Sequence, residues 1–302
     1  MEVLDKMNYD KVEDTFFEAF EGKYVRALIT GPNEEIVKRA AYDSTSTPSA
    51  VIGRVEGGVE GFLDKSETPD GRFGAVVQYW LGGDDKEKFA FELSYRLRQD
   101  VLVKPFTRIF DYSDGESDDY IEMMDIVGHC GDGWEWIVEE YGCRMINVPI
   151  AVPDFQIEEK FKINDGIMGG NFWYLCETPE AVITAGDAII NAIMEVEGAT
   201  TPFDVCSAAS KPETNYPEIG PTTNHYYCPS LKEKLGDESK VPENVNYIPE
   251  IVVNATNVDA MFKALKVGID AAIDVDGVIG ISAGNFDGKL GDKIYNLLDL
   301  LK

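Results

Sequence analysis

The amino-acid sequence predicts an α/β (α+β) chain of two ferredoxin-like lobes, each a split βαβ unit, in tandem duplication. Two observations lead to that class. The first half reads strand–helix–strand–strand–helix–strand, and the second half repeats the order. A third sets the halves apart: the link between strands two and three of the second half, at about 204–247, is far too long for a hairpin. The lobes are expected at 1–147 and 148–302, with that link as an insert in the C-terminal lobe.

The elements follow in order. "YVRALIT" (Tyr24–Thr30) is an apolar run suited to a strand. Asn33 then offers an N-cap, Glu34 and Glu35 fill the first turn, and Ile36, Val37, Ala40 and Ala41 share one helical face. "SAVIGRV" (Ser49–Val55) and "GAVVQYWL" (Gly74–Leu81) are strands two and three, separated by the turn residues of Thr68–Arg72. A helix capped by Asp84 carries Phe89, Leu93, Leu97 and Val101 inward, and "PFTRIFDY" is strand four. A region rich in Asp, Glu and Gly, Asp111 to Gly142, reads as irregular. Phe155, Ile157, Phe161 and Ile163 alternate with polar neighbours, so an extra strand is expected to open the second lobe.

In that lobe "GGNFWYLCE" (Gly169–Glu177) is strand one, and Thr178 with Pro179 starts a helix. "ATTPF" is strand two, "PEIVVNA" strand three, and Asn257 caps the second helix. "GVIGISAG" is strand four, and "KIYNLLDLLK" suits either strand or helix.

Composition narrows the class of function. The apolar share of 44% allows a sizeable core. Acidic residues number 55 against 27 basic, a net charge of −28 spread along the chain. Such a surface repels nucleic acid and anionic lipid, so neither is expected as a partner. An anionic small molecule would need a local basic patch. Met1–Asp10 has no apolar core, so no signal peptide is expected, and no apolar run approaches the roughly 18 residues of a membrane span. Five scattered cysteines form no disulfide framework and imply reduced thiols in a cytoplasm.

One stretch concentrates chemistry. "PTTNHYYCPSL" (Pro221–Leu231) holds one of only two histidines and lies inside the insert. The sheet order of a split βαβ lobe places the insert's return beside the start of strand three, where Glu250 stands in an apolar run. Burial disfavours a charged carboxylate and raises its pKa, which suits a general acid; an exposed strand-end glutamate is the plainer reading. Two glycine–asparagine pairs, Gly170–Asn171 and Gly284–Asn285, read as structural turns and are expected to meet at the edge opposite Glu250, because their strand ends are neighbours. His129, Cys130, His225 and Cys228 do not match zinc spacing, so no metal is expected, and neither nucleotide fingerprint is present.

The segments "VEDTFFEAF", "ETPDGR", "GGNFWYL", "EVEGATTPF", "PTTNHYYCPSL", "PEIVVN" and "AGNFDGKLG", in this order, carry a resemblance. The chain resembles the formylmethanofuran:tetrahydromethanopterin formyltransferases of methanogenic archaea over essentially its whole length. Two stretches depart from the family pattern: "DVCSAASKPETNYPEIG" is shorter and lacks an arginine near Ser207, and "STPSAVIGRVEG" lacks a cysteine. The resemblance implies a cytoplasmic homo-oligomer, a tetramer, without metal or tightly bound cofactor. It implies tetrahydromethanopterin and methanofuran as co-substrates, and formyl transfer through a tetrahedral intermediate. Glu250 matches the family's acidic residue. Thr223, Asn224, His225, Tyr226 and Tyr227 then form a substrate-binding wall, with a tyrosine stacked on a substrate ring. Two alternatives stand beside this: a pterin-binding sensor, and a subunit of a complex that hydrolyses formylmethanofuran.

Overall fold

A computed structural model describes residues 9–115 and 117–302. The expectation that no signal peptide opens the chain falls mostly on residues 1–8, outside the described residues. Two compact units are present, one of residues 21–166 and one of residues 9–20 with 167–302.

The unit of residues 21–166 contains β1 (Phe16–Gly31) from Glu21 onward, α1 (Glu34–Thr45), β2 (Val55–Leu63), β3 (Phe73–Leu81), α2 (Lys86–Arg96) and β4 (Arg108–Asp111). Their antiparallel order is β2-β3-β1-β4, that of a split βαβ lobe. Asn33 caps α1 as expected, accepting from the Ile36 N–H at 2.9 Å. The α2 cap is Asp85, not Asp84: its side chain accepts from Lys88 N at 3.0 Å. "SAVIGRV" is not a strand. Ala50–Ile52 closes on itself as a 3₁₀ turn through the Ile52 N–H to Ser49 O bond of 3.1 Å, and β2 begins only at Val55.

The stretch expected to be irregular holds β5 (Tyr120–Glu122), α3 (Met123–Ile126) and β6 (Trp136–Glu140). β7 (Cys143–Val148), β8 (Phe155–Glu158) and β9 (Lys160–Lys162) follow. The strand expected to open the second lobe belongs here. β8 runs parallel to β4 and antiparallel to β7, and β9 pairs with β5. Phe155, Ile157, Phe161 and Ile163 are buried in this unit's core, and the compact unit runs on to residue 166.

The other unit contains β10 (Asn164–Cys176) from Ile167 onward and α4 (Pro179–Ile193), followed by β11 (Ala199–Thr200). The insert supplies β12 (Ser210–Lys211), β13 (Thr222–Thr223) and α5 (Lys232–Leu235). Then come β14 (Glu250–Ala255), α6 (Val258–Ala272), β15 (Val278–Ser282) and β16 (Lys293–Asn296). The sheet order β11-β14-β10-β15 repeats the split βαβ order. The C-terminal stretch is both strand and helix: β16 pairs with Phe16–Ala19 of β1, and Leu297–Leu301 is 3₁₀.

Alternation along the strands makes two layers. Phe172, Tyr174, Ile251, Val253 and Ile281 face α4 and α6 in one core. On the other face Trp173 and Leu175 pack with Ala209, Val241, Val245 and Ile248 of the insert and its return. That second cluster explains why a stretch with little periodicity is folded: it lids an apolar sheet face. A one-residue register slip of β14 would drive Glu250 into the helix layer and expose Ile251. Burying an isoleucine is worth about 1.5–3 kcal/mol, and burying an unpaired charge costs more, so the register is well determined. Among the described residues no helix is long and apolar enough to cross a membrane.

Candidate active site

The site begins with β14. Ile251 and Val253 point to the helices, so Glu250 must point to the face under the insert. Glu250 stands opposite Trp173 of β10, and Trp173 stands opposite Ser282 of β15. Asn171, two residues before Trp173, shares that face.

Two residues flank the half-buried Glu250. The Trp173 indole Nε1–H donates to Glu250 Oε1 at 3.2 Å. Cys206 flanks the free side of Glu250 through two backbone bonds, 2.9 Å from its N–H to Glu250 O and 2.8 Å in return. Its thiol is close enough to the carboxyl to favour the charged form. Burial pushes the Glu250 carboxyl up to about 7, against the opposing pull of the indole and the thiol. The same burial, with the glutamate beside it, raises the Cys206 thiol, so no reactive thiolate is created.

The two glycine–asparagine segments meet, but beside Glu250 and not at the edge opposite it. β10 begins at Asn164, so Asn171 lies mid-strand and not at a turn. Gly169, with φ of 82°, takes a bulge between Ile167 and Gly170, and a Cβ on Gly170 would lie 2.6 Å from Met261 Sδ of α6. Gly284 and Asn285 follow β15 in extended coil; the turn comes later, at Asp287 and Gly288. Asn171 and Gly284 bind each other twice, Gly284 N–H to Asn171 Oδ1 at 2.7 Å and Asn171 Nδ2 to Gly284 O at 3.3 Å. A Cβ on Gly284 would lie 3.3 Å from Glu250 Oε1. The pair therefore abuts Glu250 instead of lying at the opposite edge, because Asn171 is two positions from Trp173, the register partner of Glu250.

The insert supplies the rest. Asn224, His225, Tyr226 and Tyr227 line a cleft of about 380 Å³ together with Asn285. Thr223 is outside that lining; its hydroxyl lies 3.3 Å from Cys228 Sγ and 3.3 Å from Ala208 O. His225 stacks against Tyr226 with ring centroids 4.1 Å apart. Tyr227 meets the Trp173 ring edge-on at 4.8 Å. Glu250 is not among the cleft's lining residues; Tyr227 of the lining packs on Trp173, whose indole bonds Glu250. Asn224 is buried, and its Oδ1 has no hydrogen-bond partner among the described residues. Among the described residues no three His, Cys, Asp or Glu side chains are placed to hold a metal.

The comparisons with known proteins can now be set beside this geometry. Residues 6–150 match the family model described as formylmethanofuran-tetrahydromethanopterin formyltransferase, and residues 153–300 match that of its proximal lobe. The chain belongs to this formyltransferase family. A formyltransferase-like protein of Methanothermobacter thermautotrophicus is 60% identical over 98% of this chain and 99% of its own length. From the same organism, a protein named formylmethanofuran–tetrahydromethanopterin formyltransferase is 37% identical over 98% and 99%. The solved formyltransferase of Methanosarcina barkeri superposes with a TM-score of 0.89 at 35% identity, covering 96% of this chain and 98% of that one.

Within this formyltransferase-family chain the sequence reading missed three residues around the site. Trp173 and Cys206 flank Glu250, and period two from Asn171 would have marked Trp173. The third is Glu18. Buried at the end of "VEDTFFEAF", its carboxylate accepts from the N–H groups of Phe286, Gly288, Leu290 and Gly291 at 2.6, 2.8, 2.9 and 3.0 Å. Burial opposes its ionisation, but the four donors outweigh it and hold its pKa below the usual range. Glu18 thus fixes the loop that carries Asn285 into the cleft. No local pattern signals a contact across more than 260 residues.

Proposed function

We propose that this chain transfers a formyl group between formylmethanofuran and N5 of tetrahydromethanopterin, with Glu250 as the general acid. The observation that carries the proposal is the Glu250 carboxyl: enclosed, pushed up to about 7, and aimed at the face beneath the insert. Family membership supplies the substrate class.

The chemistry fits a carboxylic acid. The lone pair of N5 attacks the formyl carbon, and the carbonyl π pair moves to oxygen. N5 sheds its proton, the oxyanion collapses, and the bond from carbon to the methanofuran nitrogen breaks. That nitrogen leaves as an amine only when protonated. A neutral Glu250 gives the proton from Oε2, since Oε1 is held by Trp173, and regains one from the proton lost at N5. A hydrogen bond from the acid also stabilises the oxyanion before collapse. Both substrates bind together, and no acyl-enzyme forms. Asn224 and His225 position the substrate, and the His225–Tyr226 pair offers a face for a ring. Two lines not carried by the geometry complete the proposal: the chain works in the cytoplasm as a homotetramer, and it needs no bound metal or prosthetic group.

The test is a spectrophotometric assay for formyl-tetrahydromethanopterin with purified wild-type protein and Glu250→Gln. Transfer by the wild type with a loss of roughly 10²- to 10⁴-fold in the variant supports the proposal. Pterin binding without transfer points to a sensor, and release of formate alone points to a hydrolysing assembly.

A further inference from the structure

A chain of net charge −28 repels anions at long range, yet three lysines from three segments converge on the cleft. Lys211 ends β12, Lys240 lies in the insert after α5, and Lys289 belongs to the loop held by Glu18. Lys240 lies over the rings of Tyr226 and Tyr227, at 5.6 and 5.8 Å, and makes no salt bridge among the described residues. Its backbone N–H is fixed to Tyr226 O at 2.8 Å, so the ammonium is held at the rim of the aromatic wall.

Glu213 marks what the other two lysines bind. Lys289 Nζ lies 2.6 Å from its carboxylate, and Lys211 Nζ donates to its backbone carbonyl. The side chains of Lys289 and Glu213 are 57% and 55% exposed, and a pair so exposed holds weakly. A ligand's anion can take Lys289 from Glu213 at little cost. Deeper in, the buried Asn224 Oδ1 still lacks a donor. It leaves room for an N–H from the ligand, because an acceptor buried without a partner is costly unless binding satisfies it.

We infer that Lys211, Lys240 and Lys289 hold a carboxylate- or phosphate-bearing tail of a C1 carrier, while its ring end lies on His225 and Tyr226 and gives an N–H to Asn224. The inference rests on the formyl-transfer reading above and adds the place of the anion.

The experiment is equilibrium dialysis of formylmethanofuran and of tetrahydromethanopterin, each alone, against wild type, Lys240→Gln and Lys240→Arg at fixed ionic strength. Steady-state KM and kcat are measured alongside. Lys240→Gln is expected to weaken one carrier roughly tenfold in Kd and KM, with a much smaller change in kcat. Lys240→Arg is expected to restore most of the affinity, and added salt to narrow the gap between wild type and Lys240→Gln. The carrier whose affinity moves is the one held by the lysines. Unchanged affinity for both carriers overturns the inference, as does a fall confined to kcat. The two readings fail separately. Dialysis needs no turnover, so a lysine-dependent affinity with no transfer by the wild type sinks only the catalytic proposal.

Discussion

Trp173 donates its indole N–H to Oε1 of Glu250 at 3.2 Å, and the two residues are register partners on β10 and β14. The pairing of two strands thus sets the geometry of the acid. Because β10 is central, flanked by β14 and β15, it also pairs Trp173 with Ser282, and Gly284, two residues on, abuts the Glu250 carboxyl.

Glu250 should govern the alkaline side of the pH profile. With its carboxyl raised to about 7, the acid form is lost as pH rises through neutrality, and kcat should fall with it. The folded state holds a proton that the unfolded chain releases near 4.5, so this group's contribution to stability declines between about 4.5 and 7. Glu250→Gln should therefore gain in Tm relative to wild type at pH 8 compared with pH 4. A Tm difference that does not change with pH would count against a buried acid.

Trp173→Phe keeps an aromatic ring but removes the donor. The indole bond favours the carboxylate, so its loss should move the alkaline limb upward, by up to about one pH unit for a bond worth about 1 kcal/mol. A pH–rate profile of the variant checks this; an unmoved limb would show that the indole does not tune Glu250.

Gly284→Ala adds one methyl group where there is no room. Its Cβ would lie 3.2 Å from Asn171 Oδ1 and from Trp173 Cζ2, and 3.3 Å from Glu250 Oε1. We expect kcat to fall at least tenfold while Tm drops by only a few degrees. A variant with wild-type kcat would mean that the carboxyl is free to move.

Glu18→Gln offers one acceptor oxygen where four N–H groups need two. The expected loss is about 2 kcal/mol or more, together with a raised KM because the loop bearing Asn285 and Lys289 loosens. The Glu18 pKa is depressed, so its contribution is present above about 4.5 and disappears as pH falls below that value. Melts at pH 7 and pH 3 should show the wild type and Glu18→Gln converging in acid.

Salt should favour assembly. Subunits that each carry −28 repel, and the Debye length shrinks from about 30 Å at 0.01 M to about 3 Å at 1 M. Sedimentation at low and high salt is expected to show larger species at high salt; an oligomer indifferent to salt contradicts this.

The sequence by itself determined the element order, both split βαβ repeats, the caps at Asn33, Thr178 and Asn257, and the place of Glu250 at the head of its strand. These follow from local rules: periodicity two or 3.6, and side chains that bond a backbone N–H three residues on. Tertiary structure decided what local rules do not reach. "SAVIGRV" is apolar enough for a strand, yet its backbone closes into a turn. The Phe155–Ile163 alternation shows that residues pair, but not with which sheet, and the pairing with β4, β5 and β7 placed them in the first unit. Asn171 was read as a turn because its strand was started five residues late, at Gly169 instead of Asn164. Cys206 and Glu18 came to light only when segments far apart in sequence lay side by side. Burial pushes both carboxyls upward, but Glu250 has few donors and stays raised, whereas the four N–H donors around Glu18 outweigh burial and lower it. A one-dimensional pattern carries no information about how many donors will surround a carboxylate; the packing of the folded chain supplies it.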